Sequence, residues 1–203
     1  MTNKVLKGVN EKVLESHISS KKRDYDLYYE KIKSVVGSDF KSVLDFGCGA
    51  NGFSYPIISK YFEKINYIGV EATKQLCDSQ NKFFKNNNFI DAKVIWGDLF
   101  DLNFIDEVMK KTQTPCLILL LQVVDALENI ESNFSKKFIL NLKENVSDED
   151  IIVISNPIKS ISGKNKFDIK RRWLEEFIKE NFFLVDKFNL FDEDFLVCRK
   201  VFK

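Results

Sequence analysis

Histidine is almost missing from this chain: His17 is the only one in 203 residues. A Ser-His-Asp triad needs a histidine as its base, and zinc sites draw on several, so both are close to excluded, whereas carboxylate sites are not. The four cysteines, Cys48, Cys77, Cys116 and Cys198, are widely scattered. They have neither metal-ligand nor disulfide-framework spacing, and buried reduced thiols are the expectation. No apolar run approaches the roughly 20 residues that cross a bilayer. The opening Met-Thr-Asn-Lys-Val-Leu-Lys lacks a signal-type apolar core. Together these absences predict a cytoplasmic protein with neither a metal nor a membrane partner. There is no internal repeat and no long linker, and a net charge of +1 means that the molecule as a whole is no polycation.

What is present suits a soluble globular protein: 44% apolar and 30% charged residues, in a length that buries a core without disulfides. The charge is unevenly placed. Residues 159–172 hold Lys159, Lys164, Lys166, Lys170, Arg171 and Arg172 against one acid, Asp168, while Lys21, Lys22 and Arg23 form a second basic cluster. The segment 186–194 is acidic. One basic run is ordinarily a solvated face; two runs flanking a ligand site tilt the reading toward a phosphate-rich substrate.

Apolar spacing predicts helices within residues 4–36, the second capped by Ser19 or Ser20 and ended by Gly37. Strands are predicted at 42–46, 65–70, 92–96, 115–121 and 150–155. Helices are predicted between them at 54–62, 73–86, 104–111 and 128–145, and after them at 168–181. Two last strands, 183–188 and 194–201, read as a hairpin through residues 189–192. Strand and helix alternate, which implies an α/β protein with a doubly wound, mostly parallel sheet closed by an antiparallel hairpin. The expected organisation is a helical extension over residues 1–38 and one α/β domain over 39–203.

The first strand runs into Asp45-Phe46-Gly47-Cys48-Gly49-Ala50-Asn51-Gly52, an acid followed by G-x-G-x-x-G between a strand and a helix. Glycines there allow a tight turn and close approach of backbone to an adenosine-type cofactor. Asp45 favours S-adenosylmethionine (SAM) over a dinucleotide, because a carboxylate holds an ammonium and repels a pyrophosphate. Glu71 ends the second strand, about 20 residues on, where an acid reaches ribose hydroxyls. Asp98 ends the third, placed to accept from an adenine amino group with Leu99 against the ring; its plainer role is a helix N-cap. Gln122 and Asp125 follow the fourth strand, where sheet order reverses and a substrate sits; polar residues at a strand end reaching solvent is the competing reading. Asn156 and Pro157 end the fifth, before the lysine-bearing loop. Gln122, Asn156 and Pro157 are the candidates for positioning a substrate.

Four segments together resemble the Arm/Rmt-type 16S ribosomal RNA methyltransferases, known for aminoglycoside resistance. They are residues 17–23 (HISSKKR), residues 44–51 (LDFGCGAN), residues 121–128 (LQVVDALE) and residues 155–164 (SNPIKSISGK) with Trp173 and Glu175 beyond. The resemblance spans residue 14 to the C-terminus. It implies a Rossmann-like SAM-dependent methyltransferase fold with a seven-stranded sheet. It also implies methyl transfer to guanine N7 of small-subunit rRNA, leaving S-adenosylhomocysteine. By the same resemblance Arg23 binds the methionine carboxylate, Gly47, Gly49 and Asn51 shape the loop, Glu71 holds the ribose, and Asp98 and Leu99 flank adenine. Lys159, Lys164 and Lys166 lie on the RNA side. Gln122 stands where the family has Lys, Asp125 where it has Pro, and Gly52 where the loop has Pro.

Guanine N7 carries a free lone pair, so its methylation needs orientation rather than a base. A flipped guanine would use an aromatic wall; Tyr55, Phe53 and Trp173 are candidates, with core packing the plainer role for Trp173. The partner expected is ribosomal RNA or the small subunit, met by a monomer. Two other readings stay open: a small-molecule or protein methyltransferase on the same fold, and a non-catalytic SAM- or RNA-binding scaffold.

Overall fold

Short apolar runs set the sheet. In the computed structural model, which describes residues 23–158 and 172–201, β1 (Ser42–Phe46) is buried along its whole length. It is flanked by β2 (Asn66–Glu71) and β4 (Cys116–Leu121), both parallel to it. β3 (Ala92–Trp96) joins β2, and β5 (Ile151–Pro157) joins β4, again in parallel. β6 (Phe182–Leu190) and β7 (Glu193–Lys200) form an antiparallel hairpin, with β7 inserted beside β5. The order across the sheet is β3-β2-β1-β4-β5-β7-β6. The chain winds outward from β1 to β3 and then returns to β4, so the switch point lies between β1 and β4, where such sheets open a crevice at their carboxyl edge.

Side chains alternate across the strands and bury two separate cores. Leu44, Phe46, Ile118 and Leu120 face α4 (Leu102–Lys110), α5 (Val123–Ile130), α6 (Phe134–Asn145) and α7 (Arg172–Asn181). Val43, Tyr67, Leu117 and Leu119 face α1 (Tyr25–Val36), α2 (Tyr55–Tyr61) and α3 (Lys74–Asn86). The result is a three-layer, Rossmann-like architecture. All four cysteines are buried free thiols. Among the described residues no helix is long and apolar enough to cross a membrane.

The strands fall where the apolar runs predict, within two residues at their ends; the first hairpin strand is three residues longer than predicted, and the second is shifted by one. The helices differ more. The single helix expected at 128–145 is two, because Asn133 takes a left-handed conformation, φ 63°. Glu128, near the end of α5, accepts from the backbone N–H groups of Asn133 and Ser135 and so caps α6. The cap of α1 is Asp24, whose carboxylate accepts from Asp26 N and Leu27 N, rather than Ser19 or Ser20, which lie outside the described residues. Gly37 ends that helix as expected, its N–H donating to Lys33 O. The hairpin turns through Phe191 and Asp192 alone, both at positive φ. Most of the expected extension, residues 1–22, lies outside the described residues; its described end, α1, places Tyr25, Tyr28, Tyr29 and Ile32 in the second core.

Candidate functional site

Because β1 to β5 are parallel, Asp45, Glu71, Asp98, Gln122 and Asn156 all come to one edge. β7 runs the other way, so its first residue, Glu193, arrives there too. Asp45 is fully buried. Its Oδ2 accepts from Asn51 Nδ2 at 2.7 Å and from the Tyr67 hydroxyl at 2.9 Å. Its Oδ1 has no partner among the described residues. Burial pushes the Asp45 carboxyl up to about 6, opposed by the hydrogen bonds from Asn51 and Tyr67 and by the charge of Arg23. Asn51 is held in turn: its Oδ1 accepts from the Tyr29 hydroxyl at 3.2 Å and from Ser54 Oγ at 3.3 Å. A buried carboxylate with one oxygen unsatisfied is costly unless a donor or cation completes it.

The glycine loop is shaped by three different constraints. Gly47 has φ +63°, and a Cβ there would stand 2.9 Å from Val123 Cγ2, so conformation and space both demand glycine. Leu99 Cδ1 lies 3.6 Å from that point, so Val123 and Leu99 both pack against Gly47. Gly49 has φ +52°, and among the described residues nothing lies within 4 Å of where its Cβ would be. Gly52 has ordinary backbone and lies in a 3-10 turn, Asn51–Ser54. Its missing Cβ makes room for Gln80, whose Oε1 would lie 2.2 Å from it and whose Nε2 donates to Gly49 O at 2.9 Å. The third glycine of the motif therefore admits a side chain of α3 rather than a ligand.

Glu71 binds the loop from the next strand. Its Oε2 accepts from Gly49 N at 3.1 Å and its Oε1 from Thr73 N at 2.8 Å, each oxygen keeping a free lone pair. Asp98 accepts from Phe100 N at 2.9 Å, and the N-cap of α4 is Asp101, not Asp98. Gln122 is left-handed, φ 62°, and donates its N–H to Ser155 O at 2.9 Å, tying the ends of β4 and β5 together. A non-glycine residue held in that conformation at a switch point is characteristic of functional sites. Asn156 is 3% exposed, and its Oδ1 has no partner among the described residues. Pro157 lies opposite Glu193 in the β5–β7 ladder.

Sequence reading missed the partner of Arg23. Glu193 receives Arg23 Nε on Oε1 and Nη2 on Oε2, both at 2.9 Å, and both side chains are about 95% buried. Ser155 Oγ donates to Glu193 Oε2 at 2.7 Å, and the guanidinium lies 5.2 Å from the Tyr28 ring centroid. Burial alone would release the proton of Arg23, but Tyr28 and Glu193 outweigh it and hold the proton more firmly than usual. Glu193 sat inside a run read only as acidic, and nothing local in the sequence marks it. Tyr67 was equally hidden, within an apolar strand.

The three aromatic candidates all take part in packing. Tyr55 packs among Tyr67, Phe84 and Phe89 and donates to Ile65 O; Phe53 is buried beside Phe83. Trp173 packs on the aliphatic core near Phe177. Lys21, Lys22, Lys159, Lys164, Lys166 and Arg171 lie outside the described residues. A cleft of about 220 Å³ opens at the opposite edge of the sheet, lined by Ser42, Asn66, Asp91 and Lys93 among others, and holds none of the predicted site residues.

No family model matches the chain. A curated relative, a 16S rRNA (guanine(1405)-N(7))-methyltransferase of Proteus mirabilis, is 27% identical over 157 residues, 76% of this chain and 51% of that protein. The chain thus spans about half the length of the curated relative it matches. Among solved structures, the 16S rRNA methylase ArmA superposes with TM-score 0.69 at 22% identity, covering 98% of this chain and 97% of that one. The 16S rRNA methyltransferase RmtF, solved with S-adenosyl-L-homocysteine, superposes with TM-score 0.66 at 18% identity, covering 97% and 73%. The resemblance to Arm/Rmt-type proteins read from four segments is met by this relative in sequence and by these structures in fold.

Proposed function

We propose that the chain is a SAM-dependent RNA methyltransferase that transfers a methyl group to guanine N7 of 16S rRNA, near the aminoglycoside-binding decoding site. The observation that carries the cofactor is the buried Asp45, with one oxygen fixed by Asn51 and Tyr67 and the other unpartnered beside the open glycine loop. An ammonium group completes such a carboxylate, and SAM supplies one. In this reading Asp45, Gly47, Gly49 and Asn51 hold the amino-acid end, with Arg23 and Gln122 at its margin. Glu71 uses its remaining lone pairs on the ribose, and Asp98 and Leu99 take the adenine. When bound, the cofactor supplies an electrophilic methyl on sulfur.

The chain's own part is orientation. Guanine N7 needs no proton removed, which suits a chain with a single histidine. Gln122, Asn156 and Pro157 are the groups proposed to seat the base, and Lys21, Lys22, Lys159, Lys164, Lys166 and Arg171 to meet the RNA backbone. The likeness to 16S rRNA methyltransferases supports ribosomal RNA, free or in the small subunit, as the partner. We assign the catalytic domain to residues 39–203 with a helical extension over 1–38, acting in the cytoplasm as a monomer. The test is incubation with tritiated SAM and small ribosomal subunits, followed by mapping of the labelled nucleotide. Label on a guanine N7 of 16S rRNA is expected; label that goes to metabolites or protein instead overturns the RNA reading. Neutralising Lys164 and Lys166 should weaken RNA binding and flatten its salt dependence.

A further inference from the structure

Arg23 and Glu193 are 170 residues apart in sequence, yet they form a buried two-point ion pair at the carboxyl edge. A buried pair of this kind is weak evidence for stability, since an apolar pair of equal volume often serves as well. Its geometry is more informative. Glu193 engages Nε and Nη2 of the guanidinium and is itself fixed by Ser155 Oγ. Tyr28 lies against the guanidinium 5.2 Å away. A guanidinium has five N–H donors, of which Glu193 takes two. Nη1 has no hydrogen-bond partner among the described residues. The carboxylate thus fixes both the plane of the group and the direction in which its spare donors point. Asp45, with its unpartnered oxygen, contributes to the same electrostatic environment. A cation and an anion thus act on one another at this edge, which fits a zwitterionic amino-acid end.

We infer that Glu193, fixed by Ser155, is a positioning residue that aims the spare donors of Arg23 at the carboxylate of the cofactor's amino-acid arm. This inference rests on the SAM reading and deepens it. Glu193 need not touch the ligand; it selects which donors do, so its loss is felt by ligands that carry the amino-acid arm and not by those that lack it.

The test compares S-adenosylhomocysteine with methylthioadenosine, which keeps the adenosine and thioether but has no amino-acid arm. Both are titrated calorimetrically into wild type, Glu193→Gln and Ser155→Ala, with thermal melting measured alongside. Wild type is expected to favour S-adenosylhomocysteine. Glu193→Gln should weaken that ligand at least tenfold while leaving methylthioadenosine within about threefold. Ser155→Ala removes no charge and should show the same selectivity, smaller in size. Equal losses for both ligands would make Glu193 a merely structural residue and overturn the inference. So would unchanged affinity for S-adenosylhomocysteine in a folded variant. Should Glu193→Gln fail to fold, Ser155→Ala decides by the same criterion. If wild type binds neither ligand, the SAM reading itself falls and takes the inference with it, an outcome that the wild-type arm alone identifies.

Discussion

The two faces of the sheet are built from the same alternating strands but serve different ends. The face under α4 to α7 is aliphatic, filled by Leu44, Ile118, Leu120, Ile152 and Ile154, with Phe138 stacked edge-on against Phe46. The face under α1 to α3 carries all six tyrosines of the chain, five of them buried. Asp45, Asn51, Ser54 and Gln80 are buried among them. One face supplies burial energy. The other spends part of it on a polar network that stops one oxygen short of completion at Asp45. Stability and binding are thus divided between faces, and substitutions should separate them.

The largest effect is expected on the aliphatic face. Phe138→Ala should cost about 3–5 kcal/mol of stability through the cavity it leaves. Denaturant titration measures this, and the protein that remains folded should bind S-adenosylhomocysteine as wild type does. Asp45→Asn should do the reverse. The folded protein holds the Asp45 proton up to about 6, against an ordinary 3.8. The folded state therefore binds more protons across that window, and stability falls as pH rises from about 4 to 6, by on the order of 3 kcal/mol. Asp45→Asn should abolish that fall in a pH series of melting curves. It should also weaken S-adenosylhomocysteine about 10- to 100-fold, the scale of one charge-assisted hydrogen bond. In wild type, affinity should rise from pH 5 to pH 7 as the carboxylate ionises; in the variant the profile should be flat.

How far the sequence reveals this division depends on what each feature needs. The aliphatic face is legible because parallel strands buried on both sides are continuous apolar runs, as in Cys116–Leu121. The glycine loop is legible because Gly47 and Gly49 need a conformation that few residues adopt. The break between α5 and α6 is not: it depends on the carboxylate of Glu128 reaching ahead to the next helix. Tyr67 and Glu193 are not legible either, since Tyr67 meets Asp45 only through the pairing of β1 with β2, and Glu193 meets Arg23 only where the entry to α1 packs against the start of β7. Gly52 misleads for the same reason, its space being claimed by Gln80 from another helix.

Smaller substitutions sharpen the comparison. Tyr67→Phe keeps the ring and removes one donor to Asp45, and should cost about 1–2 kcal/mol. It should also raise the Asp45 carboxyl further, since that hydrogen bond favours the ionised form. Gly52→Ala should displace Gln80 and destabilise by about 1–3 kcal/mol; pairing it with Gln80→Ala should recover part of the loss, which two melting curves would reveal. At the bottom of the scale, removing the exposed Lys74–Asp78 pair should change stability by less than about 0.5 kcal/mol.

The most direct test of the central claim is calorimetric titration of S-adenosylhomocysteine into the wild-type protein and into Asp45→Asn at neutral pH. One site per chain in wild type, weakened at least tenfold in the variant, is the predicted result. No binding by wild type, or equal binding by both, would contradict the assignment of the polar face to the cofactor.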